Sequence, residues 1–335
     1  MNILLTGGAG FIGSHTAIVL SEAGHNISIV DNFDNSSSVN LYNLEKIIGK
    51  KVNFVEGDIR DTKLLTQALK DFKVDGVIHF AGLKCVGDSV VSPLNYYDTN
   101  IAGTISLLKA MQDLSIKNLV FSSSSTVYGN PQYLPIDEPH PLSPINPYGK
   151  TKLFVEQLLR DVALSDKSFK AINLRYFNPA GAHASGILGE HPRGTPNNLM
   201  PFIAKVALNQ IPELKIFGDN YDTFDGTGVR DYIHVMDLAR GHEAAINFLP
   251  KMSGFEVFNL GTGSGYSVLQ MIKAYQVASG KEIPYEVIQN RLGDVASCYA
   301  SVDKANKVLN WHAKLTLQDM CNDSWKFAQQ VMSVD

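Results

Sequence analysis

The segment Thr6-Gly7-Gly8-Ala9-Gly10-Phe11-Ile12-Gly13 constrains the fold more than any other part of the chain. It joins an apolar run at 2–6 to helical patterning at 11–23, and its glycines at 7, 10 and 13 recur every third residue. A strand that turns sharply into a helix while leaving its backbone open to a ligand needs residues without side chains there. The first N–H groups of the helix then face an anion. A second strand candidate, 26–31, ends in Asp31, 18 residues beyond Gly13. A carboxylate at that place suits a ribose diol. The next residues, Asn32, Phe33, Asp34 and Asn35, carry no positive charge to meet a 2′-phosphate. The combination predicts a bound dinucleotide, NAD rather than NADP.

The first half of the chain alternates strand-like and helix-like stretches. Strands are expected at 2–6, 26–31, 52–56, 74–80, 117–123 and 170–176, and helices at 11–23, 39–48, 62–70, 89–113 and 148–164. Several strands are continuous apolar runs, such as Ile3-Leu4-Leu5, as expected where both faces of a sheet are covered. This rhythm predicts an α/β fold, a doubly wound parallel Rossmann sheet. After Tyr176 the rhythm breaks into a Gly-, Pro- and Asn-rich stretch, 178–198, expected to be a functional loop. Asn198 is expected to cap a helix at 199–208. Smaller pieces follow at 215–217, 235–249, 255–260, 268–278 and 317–331. The 335 residues thus divide into an NAD-binding domain, 1–178, and a smaller C-terminal α/β substrate domain, 179–335, some of whose segments can cross back.

Composition narrows the function. The formal net charge is −4 and there is no Lys/Arg-rich run, which argues against a nucleic-acid or anionic-membrane surface. No apolar stretch approaches the ~20 residues of a membrane span. Three cysteines, Cys85, Cys298 and Cys321, form neither a disulfide framework nor a metal site. These features predict a soluble, cytoplasmic protein without a structural metal.

A second constellation carries chemistry. Ser122-Ser123-Ser124-Ser125-Thr126 ends the fifth strand, on the side where such sheets bind ligands. Tyr148 and Lys152 lie four apart at the start of a helix, one above the other. A phenol with a pKa near 10 becomes a base at neutral pH only if its phenolate gains ~4 kcal/mol. A lysine ammonium and a positive nicotinamide supply such stabilisation, and Ser124 can orient the same substrate hydroxyl. The spacing recurs at Tyr42 and Lys46, but with no serine cluster before it, and that copy reads as a surface pair.

Together these residues resemble the extended short-chain dehydrogenase/reductase family, and within it the UDP-hexose 4-epimerases. The likeness spans nearly the whole chain. It includes T-G-G-x-G-F-I-G-S-H from Thr6, D-N-F-D-N-S from Asp31, S-S-S-S-T-V-Y-G from Ser122, P-Y-G-K-T-K from Pro147, L-R-Y-F-N-P-A-G-A-H from Leu174, P-N-N-L-M-P from Pro196 and D-G-T-G-V-R-D-Y-I-H from Asp225. The resemblance implies an NAD-dependent isomerase acting on a UDP-sugar, commonly as a homodimer. Tyr148 takes the proton of the sugar 4-hydroxyl with help from Ser124. Hydride passes from carbon 4 to tightly held NAD and returns to the opposite face of a 4-keto sugar. Lys152 tunes Tyr148 and binds the nicotinamide ribose.

By the same resemblance Gly7, Gly10, Phe11, Ile12, Gly13, Asp31, Asn32, Asn35 and Ser36 contact NAD. So do Asp58, Ile59, Phe80, Ala81, Gly82, Lys84, Tyr148, Lys152 and Phe177. Substrate positions are Lys84, Ser124, Tyr148, Asn178, Asn198, Leu199, Phe217, Arg230, Arg291, Asp294 and Cys298. Arginine forks suit a pyrophosphate, and Phe217 can pack on uracil. The alternative is a structural pairing of Arg230 with Asp231 and of Arg291 with Asp294.

Two positions depart from the pattern. Thr99 stands where some epimerases carry Asn, and it is not counted as an NAD contact. Cys298 stands where hexose-restricted bacterial members carry Tyr. A small residue there leaves volume for an acetamido group, so UDP-N-acetylglucosamine and UDP-N-acetylgalactosamine are expected as further substrates. Other readings are a nucleotide-sugar 4,6-dehydratase, a UDP-glucuronate decarboxylase and a non-catalytic NAD-binding module. The dehydratases carry Thr-Asp-Glu where this chain has Ser124-Ser125-Thr126, and two hydroxyls cannot replace an acid–base pair.

Overall fold

The computed structural model describes residues 1–191, 196, 198–290 and 294–332. Seven strands form one sheet: β1 (Asn2–Thr6), β2 (Asn26–Asp31), β3 (Asn53–Glu56), β4 (Gly76–His79), β5 (Asn118–Ser124), β6 (Lys170–Tyr176) and β7 (Gly254–Leu260). All neighbours are parallel, in the order β7-β6-β5-β4-β1-β2-β3. The apolar runs explain this arrangement. Ile3 and Leu5 enter one hydrophobic core and Leu4 enters another, so β1 is buried on both faces. Strand order reverses between β1 and β4, and the crevice beyond their carboxyl ends is the expected ligand position.

The helix expected at 89–113 is broken. It consists of Val86–Val91, Pro93–Tyr97, a wider π-helical turn at Asp98–Ala102, and Gly103–Asp113. Pro93 opens its own helix because it has no N–H to continue the preceding one. The helix Pro147–Ser165 carries Tyr148 and Lys152, and Asn146 caps it through the N–H of Gly149 at 2.8 Å.

Residues beyond 178 make both parts. The helix Val235–Phe248 packs on the helix Phe11–Glu22, and β7 extends the main sheet beside β6. Around a second core (Met200, Ile203, Ile216, Met271, Tyr275 and Trp325) lie three small sheets. One pairs Leu214–Phe217 with Tyr285–Ile288. One pairs Asn178–Ala180 with Tyr232–His234. The third places Val229–Arg230 between Tyr266–Ser267 and Ser297–Cys298. The 178–198 stretch is therefore not all loop.

Candidate active site

The crevice at the strand ends opens into a cavity of about 870 Å³. Gly7, at the end of β1, has φ +69°, and a Cβ there would lie 2.7 Å from the Ala81 nitrogen. Only glycine lets β1 and the segment after β4 cross this closely. Gly10 is the N-cap of Phe11–Glu22 and offers no side-chain cap, and the first turn holds no acid. The leading N–H groups of that helix thus keep their capacity for an anion. Asp31 braces the turn: one carboxylate oxygen accepts from Ala9 N at 3.0 Å, and the other from Phe33 N at 2.9 Å and Ser36 Oγ at 2.7 Å.

Every residue expected to contact NAD lines this one cavity: Gly7, Gly10, Phe11, Ile12, Gly13, Asp31, Asn32, Asn35 and Ser36 on one side of the turn, and Asp58, Ile59, Phe80, Ala81, Gly82, Lys84, Tyr148, Lys152 and Phe177 around the rest. Thr99 lines it too. Asp58 is held by Arg60, which bonds both its oxygens at 2.9 and 2.8 Å and lowers its pKa to about 2. The second Tyr…Lys pair lies apart, with Tyr42 exposed on the helix Ser38–Ile48.

β5 and the helix Pro147–Ser165 bring the chemical groups together. Lys152 is buried and its Nζ donates to Ser122 O at 2.7 Å. The same nitrogen is 4.9 Å from the centre of the Phe121 ring and 5.7 Å from that of Tyr148. Burial lowers the Lys152 pKa to about 8, with Glu156 opposing. Burial raises that of Tyr148 to about 12, with the Ser124 hydroxyl opposing. Ser124 Oγ accepts from Thr126 N at 3.2 Å and from Thr126 Oγ1 at 3.0 Å. Its own proton is thereby left to donate into the cavity.

Of the expected substrate residues, Lys84, Ser124, Tyr148, Asn178, Asn198, Arg230, Asp294 and Cys298 line the cavity, and Leu199 and Phe217 lie outside its lining. Arg291 is outside the described residues. Arg230 donates to Val229 O at 2.9 Å and lies 3.4 Å from Asp294. It does not pair with Asp231, whose buried carboxylate accepts from Thr262, Gly263 and Ala300. Cys298 sits opposite Arg230 in the small sheet, and burial raises its thiol to a pKa of about 11. Its thiol is therefore protonated and neutral at physiological pH.

Asn198 occupies the N-cap position of Leu199–Ala207 but its side chain makes no capping bond. Its amide instead donates to Glu190 Oε1 at 2.6 Å, and Lys84 Nζ lies 3.2 Å from the same oxygen. Glu190 thus ties together two residues that the sequence pointed to separately. Sequence reasoning missed it; the only available signal was an acid inside the 178–198 stretch.

A family model described as GDP-mannose 4,6 dehydratase matches residues 4–324. The UDP-glucose 4-epimerase of Bos taurus is 53% identical, over 98% of this chain and 96% of its own. A UDP-glucose 4-epimerase structure from Stenotrophomonas maltophila, with bound NAD and formylated UDP-arabinopyranose, is 46% identical with a TM-score of 0.98 over 100% of both chains. One from Bifidobacterium longum, in complex with NAD+ and UDP, is 51% identical with a TM-score of 0.96 over 99% of both. At the position of the dehydratase-like acid pair the cavity of this chain is lined by the hydroxyl residues Ser125 and Thr126. With half its residues identical to such enzymes over the full length, the chain belongs to the UDP-glucose 4-epimerase family.

Proposed function

We propose that this protein interconverts UDP-glucose and UDP-galactose by inverting carbon 4 of the sugar, with retained NAD as its cofactor. One observation carries the reading: Ser124, Tyr148 and Lys152 share a cavity with the uncapped glycine turn. That turn fits NAD, because it offers helix N–H groups to a pyrophosphate and a braced carboxylate, Asp31, to a ribose. Asp58 would meet the adenine, and Tyr148 and Lys152 the nicotinamide ribose. Bound NAD supplies a reversible hydride acceptor for carbon 4.

The chain's own residues handle the proton. Tyr148 takes it from the 4-hydroxyl and later returns it, while the free Ser124 proton orients the same oxygen. Bringing a phenol from about 12 to neutrality needs ~7 kcal/mol. An ammonium 5.7 Å from the ring supplies about 3 kcal/mol at an effective dielectric of ~20. Lys152 alone does not suffice; the Ser124 hydroxyl already opposes burial in the value of about 12, so the cofactor's positive charge must provide the rest.

The nucleotide-sugar would lie toward Asn178, Asn198, Arg230 and Asp294, with Leu199, Phe217 and Arg291 as further substrate residues by sequence resemblance. Residues 1–178 then form the cofactor unit, with 235–260 crossing back to it, and the remainder of 179–335 forms the substrate unit. Cys298 favours a broader range that includes UDP-N-acetylglucosamine and UDP-N-acetylgalactosamine, since a thiol fills less of the cavity wall than a phenol. Val91 and Leu94 are 84% and 81% exposed, and Phe154 on the neighbouring helix is 50% exposed. Such an apolar patch supports a homodimer built on these helices. Leu94→Glu with Phe154→Glu should give a monomer by light scattering. No described helix is long and apolar enough to cross a membrane. The three free cysteines are in keeping with a reducing cytoplasm. The test is to incubate the purified protein, without added NAD, with UDP-galactose and separately with UDP-N-acetylgalactosamine. Epimer formation from the first supports the reading and its absence refutes it; the second decides the range.

A further inference from the structure

The helix Pro147–Ser165 places Tyr148, Lys152 and Glu156 at successive four-residue steps on one face. The Glu156 side chain is 3% exposed and that of Arg175, on β6, is 2%. Arg175 grips the carboxylate with both prongs, Nε to Oε1 at 3.0 Å and Nη2 to Oε2 at 2.6 Å. Ser123 Oγ donates to Oε1 at 2.5 Å. Arg175 Nη1 donates to the Tyr128 hydroxyl at 2.9 Å and to Glu138 O at 3.3 Å. Ser123 lies between Ser122, whose carbonyl holds Lys152, and Ser124. One buried carboxylate therefore fastens the strand end and the catalytic helix together, with two buried cations close to it.

Stability alone does not account for this cluster. A buried ion pair is often no more stabilising than apolar residues of the same volume. Its location behind Lys152 is the informative feature. We propose that Glu156 is a positioning residue that holds the Lys152 ammonium in its charged form beside Tyr148, and that Arg175 limits how strongly it does so. The inference rests on the epimerase reading above.

The electrostatics around Lys152 set the sign. On its own helix it meets Tyr148 and Glu156. From β5 come the Phe121 ring and the Ser122 carbonyl. From β4 comes His79, which burial lowers to a pKa of about 3, with Lys152 adding to the effect, so it is neutral. From β6 comes Tyr176, whose phenol burial keeps protonated, while Arg175 on the same strand bonds the far partner, Glu156. Glu156 supplies the negative charge, and its pull favours protonated Lys152. Without Glu156, Lys152 loses the charge that opposes its burial, Arg175 is left unneutralised, and Lys152 loses its proton at lower pH. Without Arg175, the undivided Glu156 charge holds that proton to higher pH.

The test is the alkaline limb of the kcat profile with UDP-galactose. Glu156→Gln should move it down by about one pH unit and Arg175→Met should move it up by a similar amount. The double variant removes the carboxylate and the guanidinium together, so their opposing effects on Lys152 offset each other and the limb should stay near the parent. A fold-supporting role would lower melting temperature in both single variants without shifts of opposite sign. Limbs that move together or not at all overturn the proposal. If one single variant fails to fold, the direction shown by the other decides; if both fail, a displaced limb in the double variant overturns it and an unmoved one supports it. An inactive parent protein would sink the epimerase reading instead.

Discussion

Lys152 Nζ donates to the main-chain oxygen of Ser122 at 2.7 Å, so the ammonium is anchored to the strand end that carries Ser124 rather than swinging free in the cavity. This single bond makes the Lys152 position a property of the sheet. It fixes a cation 5.7 Å from the Tyr148 ring, in a place where burial makes the charge costly.

That cost is measurable. The folded pKa of Lys152 is about 8, below the ~10.4 of an unfolded lysine. The folded state therefore sheds this proton first, and stability from this group rises with pH between about 8 and 10. Lys152→Met removes the penalty. Urea unfolding of the variant should show stability relative to the parent that is most favourable at pH 7 and falls toward pH 10, while turnover is lost.

Tyr148→Phe keeps the ring and deletes the proton acceptor. Steady-state kinetics should show kcat lower by about 10²–10⁴ with KM within a few-fold. Ser124→Ala should cost less, because it removes an orienting donor rather than the base. Unchanged turnover in Tyr148→Phe contradicts the assigned chemistry.

Gly7→Ala adds a Cβ 2.7 Å from the Ala81 nitrogen on a backbone at φ +69°. Thermal unfolding should report a loss of ~2 kcal/mol. The purified variant should also release less NAD on acid denaturation than the parent, because the turn that faces the pyrophosphate has moved.

Cys298→Tyr should abolish conversion of UDP-N-acetylgalactosamine while UDP-galactose turnover stays within a few-fold. Equal losses on both substrates, assayed side by side, would show that the position does not set the range.

Much of this was legible in the sequence where information is local. β1, β2 and β6 begin and end where the sequence pattern places them, and the glycine turn and Tyr148–Lys152 pair were picked out by spacing together with the strand or serine cluster that precedes each. The break at Pro93 has a local cause that the amphipathic pattern of 89–113 masked. β7 could not be foreseen as a seventh strand of the main sheet, since its partner β6 is some eighty residues earlier. Glu190 and Glu156 were invisible for the same reason: each is a lone acid whose meaning comes from Lys84, Asn198 and Arg175 arriving from distant segments.

The most direct test of the central claim uses UDP-galactose carrying deuterium at carbon 4, incubated with the protein as purified and followed by NMR. The account predicts UDP-glucose with the deuterium still at carbon 4, because hydride leaves and returns within one closed site. UDP-glucose whose carbon 4 has acquired solvent hydrogen, or no UDP-glucose at all, would contradict it.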